Sequence, residues 1–113
     1  MNADHLPVPQ RDSPTLTTGS PLFNLGQIVA TPGALALLEN KSVQPATLLN
    51  RHVCGDWGDL DTHDRAANDA SVKDGSRILS AYVITKDKFC VITEAVDDSG
   101  TRASTCILLP SEY

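Results

Sequence analysis

Aromatic side chains are scarce in this 113-residue chain, which has two Phe, two Tyr and one Trp. A core must therefore be built from aliphatic residues, and the 41% hydrophobic content supplies them. Basic charge is short as well: nine Lys and Arg stand against fourteen Asp and Glu, a formal charge of -5. Because cations that neutralise phosphates provide most non-specific nucleic-acid affinity, direct nucleic-acid binding is not expected, and a protein partner with a basic surface suits the acidity better. No apolar run approaches the roughly 20 residues that span a bilayer, and the N-terminus lacks the basic start and apolar stretch of a secretory signal. A soluble, cytoplasmic protein is expected. The cysteines, Cys54, Cys90 and Cys106, are odd in number and lack zinc-type spacing, so they read as free thiols without a disulfide framework or structural metal site.

Four of the seven prolines, Pro7, Pro9, Pro14 and Pro21, crowd the first 21 residues among polar side chains. Residues 1–21 therefore read as a disordered Pro-rich leader, and residues 22–113 as a single domain. A short β-branched stretch, 23–30, precedes Thr31-Pro32-Gly33, where Thr31 caps a helix whose first position is Pro32. A second short helix is expected from Pro45 to about residue 52. A third runs from about 62 to 74, capped by Asp59 or Asp61, stopped by Gly75 and packed through Ala66, Ala67 and Ala70. Beyond Gly75 the period becomes two. Residues 77–85, 88–95 and 102–109 read as strands joined by turns at Lys86-Asp87 and at 97–100. The expected fold is α+β: an antiparallel β-meander of three C-terminal strands plus one N-terminal strand, packed with two to three short helices.

Reactive side chains are densest at residues 51–64, which hold Arg51, His52, Cys54, Asp56, Trp57, Asp59, Asp61, His63 and Asp64. Imidazole and carboxylate together suit Mg, Mn, Zn or Fe, yet neither an HExxH pair nor an EF-hand ligand order is present. Carboxylates ahead of Thr62 also have a plain role as helix caps. His52 with Asp56 has the makings of a general-base pair but lacks an evident nucleophile, since Cys54 has few basic neighbours. Trp57, bracketed by Gly55 and Gly58, reads as a core seal or, with Arg51, as a recognition patch. Arg77 and Tyr82 read as sheet residues, and residues 110–113 as a recognition tail or a segment folded back on the domain edge. The expectation is no catalytic residue, no cofactor and no metal, with Arg51, His52, Asp56 and Trp57 as binding residues. The alternative is a small metal-dependent hydrolase using His52, Asp56 and the acidic run 59–64.

Several blocks within residues 25–113 resemble one family. They are Leu25-Gly26-Gln27-Ile28-Val29-Ala30-Thr31-Pro32-Gly33-Ala34-Leu35, Arg51-His52, Gly55-Asp56-Trp57-Gly58, Asn68, 74–82, Ile92-Thr93-Glu94-Ala95 and 105–113. The family comprises small, largely uncharacterised proteins of bacterial plasmids, integrated elements and phages. Some relatives are labelled plasmid-related or restriction-modification subunit, but this chain has no room for a methyltransferase domain and no methyl-donor-binding glycine motif. The chain is longer than its relatives between Ala95 and Thr105. The resemblance implies a mobile-element setting and no known active site. With the acidity, it points to a small non-enzymatic interaction module that binds a host or element-encoded protein, in the manner of anti-restriction or anti-CRISPR proteins.

Overall fold

The computed structural model describes residues 6–7 and 21–113. The expected leader disorder therefore falls largely on residues outside the described ones, except that Leu6–Pro7 form a two-residue strand, β1. The other strands are β2 (Gln27–Ala30), β3 (Ile78–Ile84), β4 (Asp87–Thr93) and β5 (Ser104–Leu108), and the helices are α1 (Pro32–Asn40), α2 (Pro45–Val53) and α3 (Thr62–Asp74). The class is α+β, as expected. A mixed sheet runs β2-β5-β4-β3, with β1 added antiparallel on the β2 edge.

The caps follow the sequence closely. Thr31 Oγ1 accepts the Ala34 N–H at 3.1 Å and Pro32 opens α1. Pro45 opens α2, and Asp61, not Asp59, caps α3 by accepting the Asp64 N–H at 2.8 Å. Gly75 ends α3 in the left-handed region at φ 86°.

Three expectations need correction. The sheet is not an antiparallel meander throughout, because β2 pairs parallel to β5, with Gln27 opposite Ser104 and Ala30 opposite Ile107. Hairpin logic holds for neighbouring strands, as in β3-β4 and β4-β5. It says nothing about a strand separated from its partner by three helices, and a crossover is what permits parallel pairing. The strand expected at 23–30 shrinks to Gln27–Ala30: Gly26 turns the chain at φ 66°, and Leu22–Leu25 run across the end of α2, with the Leu22 N–H donating to the Val53 carbonyl at 2.8 Å. Finally, Ala66, Ala67 and Ala70 are exposed, and α3 instead buries Asn68 and Ser71. The Asn68 amide donates to the Leu79 carbonyl at 2.6 Å and accepts the Leu79 N–H at 3.2 Å, so a side chain stands in for a neighbouring strand.

The β3-β4 turn centres one residue earlier than expected, on Thr85 and Lys86, both at positive φ, the pattern of a two-residue hairpin. Lys41, at the end of α1, pins it by donating to the Thr85 carbonyl at 3.1 Å and pairing with Asp87 at 2.9 Å. One sheet face meets α1 and α2 in a core of Ala30, Ala34, Leu38, Leu48, Leu49, Tyr82, Phe89, Val91 and Ile107. The other face carries a smaller cluster of Cys90, Ile92 and Leu108 flanked by Leu79 and Cys106. Cys90 lies opposite Leu108 and Cys106 opposite Ile92, so the two thiols are diagonal, not directly paired. Cys90 and Cys106 carry free thiols. Burial pushes the Cys106 thiol up to about 11 and raises Cys90 as well.

Candidate functional site

Adjacent residues on a helix point about 100° apart, and the last turn of α2 uses this to separate Arg51 from His52. His52 goes inward and is 0% exposed; Arg51 stays at the surface. The His52 ring is held at both nitrogens, with Nδ1 2.6 Å from Ser80 Oγ and Nε2 2.9 Å from Thr93 Oγ1. Thr93 Oγ1 lies 2.7 Å from Thr105 Oγ1, which donates to the Leu25 carbonyl at 2.7 Å.

That terminal carbonyl can only accept, and this sets the direction of the whole chain. Thr105 spends its one proton on Leu25, so Thr93 must donate to Thr105. With its own proton used, Thr93 accepts from Nε2–H of His52, which leaves Nδ1 to accept from Ser80. The imidazole is therefore the neutral Nε2–H tautomer. Burial holds its pKa far down, at about 3, with the Arg102 guanidinium adding to the effect. Phe23 packs edge-on to the ring at 5.2 Å and Trp57 at 6.0 Å, closing it off further.

A serine donating to a neutral imidazole has the form of a nucleophile and its base. Here the second nitrogen meets a threonine instead of a carboxylate, so no anion stabilises an imidazolium, and both groups are fully buried. The chemistry of this network is structural.

Asp56, which would orient His52 in the hydrolase alternative, makes no hydrogen bond to either ring nitrogen, both of which are taken by Ser80 and Thr93. Its carboxylate accepts from Arg51 Nε at 2.7 Å and from the Gly58 N–H at 3.1 Å, and the Arg51 guanidinium holds its carboxyl below the usual range. The Arg51 guanidinium also lies 4.4 Å from the centroid of the Tyr82 ring, and Tyr82 Oη donates to the Asp56 carbonyl at 2.6 Å. Trp57 is buried, as a core seal, and its Nε1–H donates to Asp69 at 2.9 Å. The segment after it docks on the β3 edge: the Ala81 N–H donates to the Trp57 carbonyl at 3.2 Å and the Asp59 N–H to the Ala81 carbonyl at 2.6 Å. Gly58, at φ 75°, is demanded by this approach, since a Cβ would run into the Ala81 carbonyl and the Tyr82 ring.

Asp59, Asp61, His63 and Asp64 are exposed, Asp61 serving as cap. They do not converge with His52 or Asp56 on a common point, and among the described residues no group of three or more His, Cys, Asp or Glu is arranged to hold a metal ion. Cys54 lies half-buried beyond the end of α2.

The sequence reading missed Arg102, which looks like an ordinary strand residue. It is buried and donates to the carbonyls of Ser71 (3.0 Å), Ser76 (2.8 Å) and Glu94 (3.0 Å), tying the end of α3 to the sheet. A guanidinium against the last carbonyls of a helix also complements the negative end of the helix dipole. Glu112 was missed too. It accepts from Thr31 Oγ1 at 2.6 Å and from the Leu109 N–H at 2.8 Å, so residues 110–113 fold back onto the start of α1. Gly33 leaves room for its carboxylate. Nothing in local spacing announces either contact.

No family model matches the chain, and no curated protein or solved structure is similar to it. The site must be read from its own geometry.

Proposed function

We propose that the chain is a non-enzymatic interaction module that binds a protein with a basic surface through the exposed rim formed by Arg51, Asp56, Asp59, Asp61 and Asp64. The observation that carries this reading is the division of labour across residues 51–64. The one group suited to acid-base chemistry, His52, is sealed inside with both nitrogens committed, while the carboxylates around it face outward. Trp57 and Gly58 hold that rim against β3, and Arg65 donates to the Leu60 and Gly58 carbonyls at 2.9 and 2.7 Å, stiffening it from beneath. A rigid acidic rim loses little conformational entropy on binding and steers a cationic partner by its field.

The resemblance described above supports a mobile-element setting, a bacterial plasmid or phage, and hence a cytoplasmic partner that is host- or element-encoded. Restriction and CRISPR effectors, whose nucleic-acid grooves are basic, are partners of the right chemistry. No helix is long and apolar enough to cross a membrane among the described residues.

The test is binding of the purified chain to purified restriction and CRISPR effectors by calorimetry over a salt series. Affinity should fall with salt, should fall at least tenfold in Asp59→Arg/Asp64→Arg and should persist in Glu39→Arg, on the exposed side of α1. Binding that ignores both salt and the double substitution would remove the rim from the account.

A further inference from the structure

His52 is closed off by two kinds of cover. Helix α2 carries it and the sheet meets it through Ser80 and Thr93, so those sides are regular structure. The remaining side is closed by two rings, Phe23 and Trp57, which stack on each other with centroids 6.2 Å apart. The rings are held unequally. Trp57 is buried and tied by Nε1–H to Asp69 and by its carbonyl to the Ala81 N–H. Phe23 is half-buried between the exposed Leu22 and Asn24, with the Arg102 guanidinium 5.5 Å from its centroid. Its segment, residues 21–25, belongs to no helix or strand. The Leu22 N–H closes one end of it on the Val53 carbonyl, and the Leu25 carbonyl closes the other on Thr105 Oγ1. Gly26 then turns the chain into β2 at φ 66°, where a Cβ would run into the Arg102 carbonyl.

The surroundings of the ring oppose a second proton. Arg102 acts on it as a cation, while Ser80, Thr93 and, behind them, Thr105 are neutral hydroxyls. Tyr82, next along the same face of β3, is kept protonated by burial. The nearby carboxylates are committed elsewhere, Asp56 to Arg51 and Asp69 to the Trp57 indole. An imidazolium therefore needs water, and the path past Phe23 breaks neither sheet nor helix. Any state that hydrates the ring gains about tenfold in population for each pH unit below 6.5.

We propose that residues 21–25 are a proton-gated strap: Phe23 lifts off His52 about Gly26, and protonation of the hydrated imidazole holds it open while the sheet and helices stay folded. Release bares the apolar Phe23–Trp57 stack, so the switch turns an acid signal into an exposed aromatic surface. Trp57 keeps its bonds to Asp69 and Ala81 throughout, which leaves the rim proposed above in place.

Native-state hydrogen exchange of the full chain from about pH 6 to about pH 4.5 is the test. Protection of the Leu22 amide should fall about tenfold per pH unit, and should lie at least about a hundredfold below that of Val91 in β4. In His52→Gln it should stay level. Leu22 protection equal to that of Val91 overturns the proposal, because the strap then opens only with the whole fold. So does a level Leu22 protection in the unaltered chain, or a slope that survives in His52→Gln. Where His52→Gln does not fold, Leu22→Pro, at an exposed position, deletes the N–H that closes the strap. It should raise the titration midpoint of His52, read from its ring protons by NMR, by about one pH unit or more, and an unmoved midpoint overturns the proposal. None of these readings involves the partner of the rim.

Discussion

Lowering the pH should unfold this protein through a single histidine before its carboxylates matter. In the unfolded chain His52 titrates near the ordinary value of 6.5, whereas burial holds it at about 3 in the fold. The fold therefore binds one proton fewer than the unfolded chain between those values. Stability from the neutral ring is fully present above 6.5 and is lost as the pH falls, at about 1.4 kcal/mol per unit, which makes about 2.7 kcal/mol at pH 4.5 and about 4 kcal/mol by pH 3. The whole stability of a domain this size is of order 5–15 kcal/mol. The carboxyls of Asp56, Asp74 and Asp97 sit below their ordinary values, so their stabilisation is present at neutral pH and declines only at more acidic pH. The window from 6.5 to 4.5 isolates His52. Calorimetric Tm should drop by roughly 10–20 °C across it. His52→Gln keeps a donor for Thr93 and carries no titrating proton; it should be less stable at pH 7 but flat across the same window. A flat Tm in the unaltered chain, or an equal slope in His52→Gln, would refute the reasoning.

Three further outcomes follow from the same geometry. Thr93→Val, nearly isosteric, strands the Nε2–H of His52 and should cost about 1–3 kcal/mol by urea denaturation, while imidazole 15N shifts in the unaltered chain should report the Nε2–H tautomer. Gly58→Ala combines a positive φ with a collision against the β3 backbone, and should lower the denaturation midpoint by about 2 kcal/mol or more at unchanged m value. Asn68→Leu leaves the Leu79 N–H and carbonyl without their partner and should cost about 2–4 kcal/mol, with faster hydrogen exchange at Leu79 than at Ala81 as the local signature.

Much of the fold was legible because the information is local. Thr31, Pro32, Pro45, Asp61 and Gly75 mark helix ends by their own backbone preferences, and alternation marks β3 to β5. The parallel β2-β5 pair was illegible for the opposite reason: its register depends on where three helices deliver the chain, which no window of ten residues contains. The site shows the same divide. Flanking residues narrowed the α3 cap to Asp59 or Asp61 and Trp57 to core seal or surface patch, and the structure selects Asp61 and a buried Trp57. That His52 turns inward to two hydroxyls required knowing that Ser80 and Thr93 share one sheet face, and Asn68 and Arg102 owe their roles to backbone groups 8 to 31 residues distant in sequence. The α3 alanines misled because small residues fit a close helix contact and an exposed helix surface equally well.

The β2-β5 pairing has a bearing on how the chain is made. Thr105 closes on the Leu25 carbonyl across 80 residues, and Glu112 reaches Thr31 across 81. Ribosomes add about 5–20 residues per second, so β2 and the cap of α1 wait roughly 4–16 s for the segments that complete them. Throughout that interval the nascent chain carries helices whose apolar sides have no sheet to rest on. Burst-like formation of the β3-β4 hairpin, followed by slower closure on β2, is the order that loop-closure entropy dictates. In a chain assembled in this order the apolar sides of β2 and α1 stay uncovered until β5 and the C-terminal residues close on them, so a truncation before Ser104 should leave α1 without its sheet.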